Sequence, residues 1–241
     1  MSHITHLYYL PIELPLYLVM AGLVVLLLVF LPLQILRHVY MSLGVSSGAA
    51  VLLLAATLIG GFFNIPVAEL AGRHVEGARE VSAFGVTWLE PVEVDWPGTV
   101  IAVNVGGALI PAAMSLYLLV SRNLWLAGAL VVLVVSLICH ELARPLPGLG
   151  IAMPTLAPGL SAGIVALVVS ARQAAPLAYV GGSLGALIGA DLTNLSRVAG
   201  LGAKVASIGG AGAFDGIFLT GVIAVLIAGL SPFGRAPRPA R

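Results

Sequence analysis

The stretches GADLTN, residues 189–194, and GGAGAFDG, residues 209–216, each place one carboxylate inside or beside an apolar segment. An aspartate at the centre of a bilayer costs on the order of 2.5 to 3.5 kcal/mol even on lenient scales. Such a residue is kept where neighbouring groups or a function compensate for that cost. The sequence therefore predicts a membrane scaffold organised around Asp191 and Asp215.

The composition is that of an integral membrane protein. Hydrophobic residues form 60% of the 241 residues, charged residues form 9%, and the mean hydropathy is +1.10. A net charge of +1 without a basic stripe argues against nucleic acid as a partner. The single cysteine, Cys139, excludes an intrachain disulfide and a CxxC metal site. We expect membrane lipid as the surroundings, and neither a metal nor a cofactor.

Seven apolar stretches predict an all-α polytopic membrane protein, because about 20 apolar residues cross a hydrocarbon core about 30 Å thick. They lie at residues 15–36, 43–63, 98–120, 123–140, 153–171, 176–195 and 213–231. No Lys or Arg precedes the first stretch, so it does not resemble a cleaved signal peptide. Prolines near the start of the third and fifth stretches predict partly unwound or re-entrant backbone there. The whole chain, 1–241, is expected to form a single integral membrane domain.

One sizeable extramembrane loop is predicted at residues 64–97, where charged residues concentrate. They are Glu69, Arg73, Glu76, Arg79, Glu80, Glu90, Glu93 and Asp95. Residues 84–90 and 92–95 alternate between polar and apolar, which predicts one or two short strands around residues 81–96.

The distribution of basic residues weakly favours an N-terminus outside the cell and a C-terminus inside. With seven spans in that orientation, the inner loops and tail carry six basic residues against five outside. The six are Arg37, Arg122, Arg172, Arg235, Arg238 and Arg241. The acidic loop is then outside the cytoplasm.

A helical hairpin at residues 176–231 is predicted to bring the two aspartates together. They are 24 residues apart, and the midpoint falls in a polar, glycine-bearing turn at residues 196–207. Small residues before Asp191 allow the two helices to approach closely; they are Gly182, Gly185, Ala186 and Gly189. Asn194 and Ser183 add a polar strip to the first helix, and residues 209–212 allow a distorted backbone with exposed donors.

Two carboxylates held close together resist joint ionisation, so one keeps a proton and the pair can act as acid and base. One aspartate would activate water and the other would donate a proton to a peptide carbonyl. The pattern predicts an intramembrane aspartyl protease with Asp191 and Asp215 as catalytic residues and a membrane-embedded peptide as substrate. The candidate substrate-binding residues are Asn104, Pro154, Pro158, Asn194 and Gly212. Either the 64–97 strands or the proline-rich stretch would bind substrate by strand addition.

Other interpretations stay open. The aspartates could bind protons or cations in a coupled transporter, or could be dispensable in a non-catalytic membrane assembly protein. Each aspartate could also be a helix cap, and Asn104 could bind a neighbouring backbone. A kinked helix start explains the stretch 154–158 equally well, and a polar helix end explains His140, Glu141 and Arg144 better than a metal site or proton relay.

The segment 212–215 resembles the Gly-x-Gly-Asp motif of presenilin, signal peptide peptidase and prepilin peptidase, with Phe214 in place of the second glycine. Ala190 stands where presenilins have tyrosine. Four longer strings resemble the domain of unknown function 1614 family. They are NVGGALIP at 104–111, ARPLPGLGIAMP at 143–154, GADL at 189–192 and SIGGAGAFDGIFLTG at 207–221. This resemblance implies a prokaryotic integral protein of the cell membrane and does not imply a reaction.

Overall fold

The computed structural model describes residues 18, 19, 22, 33–71, 74–83, 86–95, 98–146, 150–154, 156–198, 201, 203–210 and 216–230. The helices are α1 Leu33–Ser42, α2 Ser47–Gly60, α3 Ile110–Ser121, α4 Trp125–Leu142, α5 Ala157–Val169, α6 Ala174–Ala186, α7 Leu195–Val198 and α8 Gly216–Leu230. The strands are β1 Asn64–Ala71, β2 His74–Ala83, β3 Val86–Asp95, β4 Gly98–Asn104, β5 Arg144–Leu146, β6 Gly150–Ala152 and β7 Val205–Ile208. Two π-helical turns, Val105–Leu109 and Leu187–Asp191, precede α3 and follow α6.

The helices include some that are long enough to cross a membrane. Two of them, Trp125–Leu142 and the continuous helical run Ala171–Val198, meet the length and hydropathy of a full span. The pair α1 and α2, which meet at a bend of 119°, forms a third if it is counted as one broken span. Three shorter apolar helices accompany them, at Val105–Ser121, Ala157–Val169 and Thr220–Gly229. The described residues thus contain two or three full-length spans and do not reach the predicted seven.

More of the chain forms β-strands than the sequence predicts. Residues 98–104, expected at the start of the third span, form β4 instead. β1 pairs with β4 in antiparallel fashion and β4 pairs with β7 in parallel fashion, while β2 and β3 form a separate hairpin. The β-branched residues of β4 favour a strand, and a short apolar run has no periodicity that separates a buried strand from a helix. The boundary predicted at residue 98 was therefore wrong.

The helices run between two ends that carry different structures. At one end, the Arg122 guanidinium donates to the Leu43 carbonyl at 2.9 Å and to the Gln173 side-chain oxygen at 3.4 Å. This end, which holds the connections 43–46, 122–124 and 170–173, is called the elbow end. The opposite end, where the three-stranded sheet lies, is called the sheet end.

Helix α6 lies at the centre of the bundle, and 11 of its 13 residues are buried. Its glycines make this possible: a Cβ on Gly182 would lie 3.2 Å from the Gly221 Cα of α8, and one on Gly185 would lie 2.7 Å from the Val135 side chain of α4. Of the small residues expected to face the second hairpin helix, Gly182 contacts α8, whereas Gly185 and Gly189 contact α4. The predicted simple turn between them was wrong, because residues 196–207 contain part of α7 and most of β7.

Candidate functional site

Asp191 ends the π-helical turn that follows α6. At about 1.5 Å per residue, it lies roughly 26 Å along the helical run from Ala174, which places it near the sheet end. The side chain is half-buried, and its Oδ2 accepts a hydrogen bond of 2.7 Å from the Gly209 backbone N–H. A backbone donor from a segment 18 residues away therefore offsets part of the cost of burying this carboxylate.

The π turn itself is held by its close contact with α4 and by side chains that follow it. A Cβ on Gly189 would lie only 2.2 Å from the Ser136 carbonyl oxygen, so only glycine fits against α4 here. Thr193 donates to the Gly189 carbonyl at 2.7 Å, and the Asn194 amide donates to the Ala190 carbonyl at 2.9 Å. These bonds tie the side chains that follow Asp191 to the last two carbonyls before it.

His140 on α4 supports the same turn. Its Nδ1 lies 2.8 Å from the Thr193 hydroxyl oxygen, and since that hydroxyl already donates to Gly189, the ring nitrogen is the donor. Asn194 is completely buried; its amide nitrogen donates to the backbone of the turn, and its side-chain oxygen accepts a hydrogen bond from Arg197. The structure therefore gives both residues a role in positioning Asp191.

Gly209 joins three segments at one point. Its φ of +88° and the φ of +78° at Gly210 lie in the left-handed region that favours glycine. A Cβ on Gly209 would lie 2.6 Å from the Ala108 backbone nitrogen, inside the first π turn. The same residue donates to Asp191 at the end of the second π turn. We call this meeting of Gly107–Ala108, Gly209–Gly210 and Asp191 the glycine junction.

A buried polar network borders the glycine junction. Asn104 is fully buried; its amide nitrogen donates to the Gly61 carbonyl at 2.8 Å and to the Asn64 side-chain oxygen at 3.1 Å. Its side-chain oxygen accepts from the Gly107 N–H at 2.7 Å. The predicted alternative of a backbone-binding Asn104 is thus confirmed, and the network fixes the first π turn to the end of α2.

Two members of this network were missed from the sequence. Asn64 begins β1 and Ser207 lies in β7, and the Ser207 hydroxyl is 2.5 Å from both the Asn64 side-chain oxygen and the Gly210 carbonyl. Its single proton can serve only one of these acceptors at a time. Each is a polar residue between apolar neighbours, and nothing in the sequence links the two.

The predicted proline residues belong to other features. Pro154 is exposed and lines a shallow cleft of about 310 Å³ with Leu142, Arg144, Ala152 and Met153. Pro158 is buried in the first turn of α5, where Gly159 packs against Ile223 of α8. Pro158 therefore fits the alternative interpretation of a helix start, whereas Pro154 is exposed at the surface of the cleft.

Asp215 and Gly212 lie outside the described residues, so the predicted carboxylate pair remains a prediction. Helix α8 begins at Gly216, the next residue in the sequence. Among the described residues, no group of three His, Cys, Asp or Glu side chains has an arrangement that could hold a metal ion. Glu141 and Arg144 are exposed.

The comparisons with known proteins identify a family. Neither the curated proteins nor the solved structures contain a match to this chain. The model of the family described as "Protein of unknown function (DUF1614)" matches residues 58–227, which is more than half of the 241 residues. The match includes Asn104, both π turns and the glycine junction. On this match, the chain belongs to the DUF1614 family.

Proposed function

We propose that this protein is an intramembrane aspartyl protease that hydrolyses a peptide bond in a membrane-embedded substrate, with Asp191 and Asp215 as the catalytic pair. The observation that carries the proposal is the hydrogen bond between Asp191 and Gly209. It holds a carboxylate of a membrane-span helix against the glycine-rich segment that leads, six residues later, to the second aspartate.

The free oxygen of Asp191 suits it to act on water. Only Oδ2 has a hydrogen-bond partner among the described residues, so Oδ1 is available to a water molecule. In a site of low dielectric, a second carboxylate close by would retain a proton and could donate it to the substrate carbonyl. The proposal gives that role to Asp215.

Strand β7 offers a route for substrate. It lies at the edge of the sheet order β1-β4-β7, and within the described chain no strand pairs with its outer edge. β7 ends at Ile208, immediately before the glycine whose N–H contacts Asp191. An extended peptide that added to this edge would gain backbone hydrogen bonds and would be guided toward Asp191.

We place the protein in the cell membrane of a prokaryote as one integral domain of seven spans, with membrane lipid and a peptide substrate as partners and no cofactor. The bend at the elbow end lies near Arg37, Arg122 and Arg172, whereas Glu69 and Glu141 lie at the sheet end. The positive-inside rule then favours a cytoplasmic elbow end. This orientation has the N-terminus outside and the C-terminus inside.

A coupled transporter of protons or cations is the second candidate, because the bundle contains a cluster of buried hydroxyls. The hydroxyls of Tyr40, Tyr179 and Ser183 are buried and lie close to one another inside the bundle. Buried hydroxyls of this kind can line an ion or proton path. A non-catalytic assembly protein, the third alternative, would need neither these hydroxyls nor the aspartates.

The test is cleavage of a panel of single-span peptides by the purified protein in detergent. Wild type is compared with Asp191→Asn and Asp215→Asn, and Glu69→Gln serves as a control, since Glu69 is an exposed acid on β1. We expect both aspartate variants to lose cleavage while they remain folded, and the control to keep it. Cleavage that persists in either aspartate variant contradicts the pair. If no peptide is cut and the Asn variants alter proton or cation flux into liposomes, the transporter replaces the protease.

A further inference from the structure

The elbow end carries two half-buried arginines on one short connection. Arg37 donates from Nε and Nη2 to the Ser47 hydroxyl oxygen, at 2.9 and 2.5 Å. Arg122 donates from Nη2 to the Leu43 carbonyl at the other end of the same connection. Four residues span at most about 14 Å, so both guanidinium groups lie beside one small region of the surface. We call the segment Leu43–Ser47 the elbow.

Arg122 lies directly against the elbow. Gly44 has a φ of +85°, and a Cβ there would be closer to the Arg122 Nη2 atom than van der Waals contact allows. A side chain at this position would therefore displace the guanidinium. The second contact of Arg122, with Gln173, fixes it from the connection between α5 and α6.

Among the described residues, both arginines are bound only to neutral groups. A guanidinium has five N–H donors, and the contacts with Ser47, Leu43 and Gln173 use two of the five on each arginine. The acidic residues whose side chains the structure describes are Glu69, Glu141 and Asp191, and all three belong to segments at the sheet end. These residues leave the two fixed cations at the elbow without a carboxylate partner.

We propose that the elbow is a binding site for the headgroup phosphate of an anionic phospholipid, which accepts hydrogen bonds from the unused N–H groups of Arg37 and Arg122. Arginine forks match phosphate oxygens in geometry as well as in charge. The ligand is taken from the membrane because Arg122 holds the elbow beside the start of α4, a helix with the length and hydropathy of a full span. Exposed apolar side chains beside it, among them Met41 and Val51, would contact the acyl chains. This site is independent of the proposed protease activity.

The protein contains a reporter for this test. Trp125 begins α4, three residues after Arg122, and is about half exposed. In a Trp88→Phe, Trp96→Phe background it is the sole tryptophan of the chain. Full-length protein is reconstituted in bilayers that mix phosphatidylcholine with phosphatidylglycerol, with bromine on the acyl chains of one lipid at a time. Quenching of Trp125 then measures the preference for the anionic lipid at the elbow end.

We expect Arg37→Gln and Arg122→Gln each to lower that preference by about tenfold, because each removes charge-assisted hydrogen bonds to phosphate. Arg144→Gln is the matched control, since it makes the same change in net charge at an exposed residue of the sheet end. Should Arg122→Gln fail to fold, Arg37→Gln decides the question, because it loses only contacts with Ser47.

Three results would overturn the site: an equal loss in Arg144→Gln, an unchanged preference in Arg37→Gln, or displacement of the lipid by millimolar inorganic phosphate. The first would indicate general attraction to net charge. The second would exclude Arg37 as a ligand. The third would identify a soluble phosphate, and not a lipid headgroup, as the occupant.

Discussion

Replacement of Gly209 by alanine should disrupt the glycine junction. The backbone at residue 209 has a φ of +88°, a region that costs a non-glycine residue about 1 to 2 kcal/mol. The new Cβ would also lie 2.6 Å from the Ala108 nitrogen and 2.8 Å from the Gly107 carbonyl carbon. Overpacking against backbone of this kind costs about 1 to 3 kcal/mol. Together the two effects predict a loss of about 2 to 5 kcal/mol in the free energy of unfolding.

The assay is thermal unfolding of the purified protein in detergent, followed by circular dichroism. For a chain of this length, 1 kcal/mol corresponds to about 2 to 4 °C, so Gly209→Ala should unfold roughly 4 to 20 °C below wild type. Gly229→Ala is the matched control, because a Cβ there meets nothing within 4 Å and the residue lies inside helix α8. Its midpoint should stay level or rise slightly. Equal midpoints for the two variants would refute the assignment of Gly209 to a close contact between three segments.

Three further substitutions test the surroundings of Asp191. Asn104→Ala should lower the free energy of unfolding by about 2 to 4 kcal/mol, since it leaves buried backbone groups without partners. Chemical denaturation measures this loss, and a loss no larger than that of an exposed Ser121→Ala control would contradict it. Gly189→Ala should destabilise the protein by about 1 to 3 kcal/mol, because its Cβ would meet the Ser136 carbonyl. The variant should therefore be cut faster by a protease in detergent. An unchanged rate of proteolysis would exclude the close contact between residue 189 and Ser136. His140→Ala should lower the free energy of unfolding by about 0.5 to 1.5 kcal/mol, because the hydrogen bond to Thr193 is lost. A double variant, His140→Ala with Thr193→Val, should lose less free energy of unfolding than the sum of the losses in the two single variants.

The membrane character and the packing of α6 could be predicted from the sequence because they depend on composition and on local spacing. Glycines at positions 182, 185 and 189 indicate close helix contacts wherever the partner helix lies, and the structure places α4 and α8 there. The backbone donors expected from residues 209–212 are also present, in that the Gly209 N–H contacts a carboxylate.

The sheet could not be predicted in the same way, because its pairings join distant parts of the chain. β4 and β7 are about a hundred residues apart, and the apolar run that contains β4 continues without a break into the helix that follows it. Asn64 and Ser207 interact across 143 residues, and no local pattern records such a contact. The predicted start of the third span at residue 98 was wrong for this reason, since hydropathy alone does not distinguish a buried strand from a buried helix.

The position of Gly209 also makes Asp191 sensitive to events outside the helices. The N–H that contacts the carboxylate belongs to the residue that follows β7, and β7 is paired with β4 over four residues. A shift of one residue in that pairing moves the strand by about 3.3 Å, which is more than a hydrogen bond of 2.7 Å can tolerate. The sheet, and not only the helix that carries it, therefore sets where the Asp191 carboxylate is held.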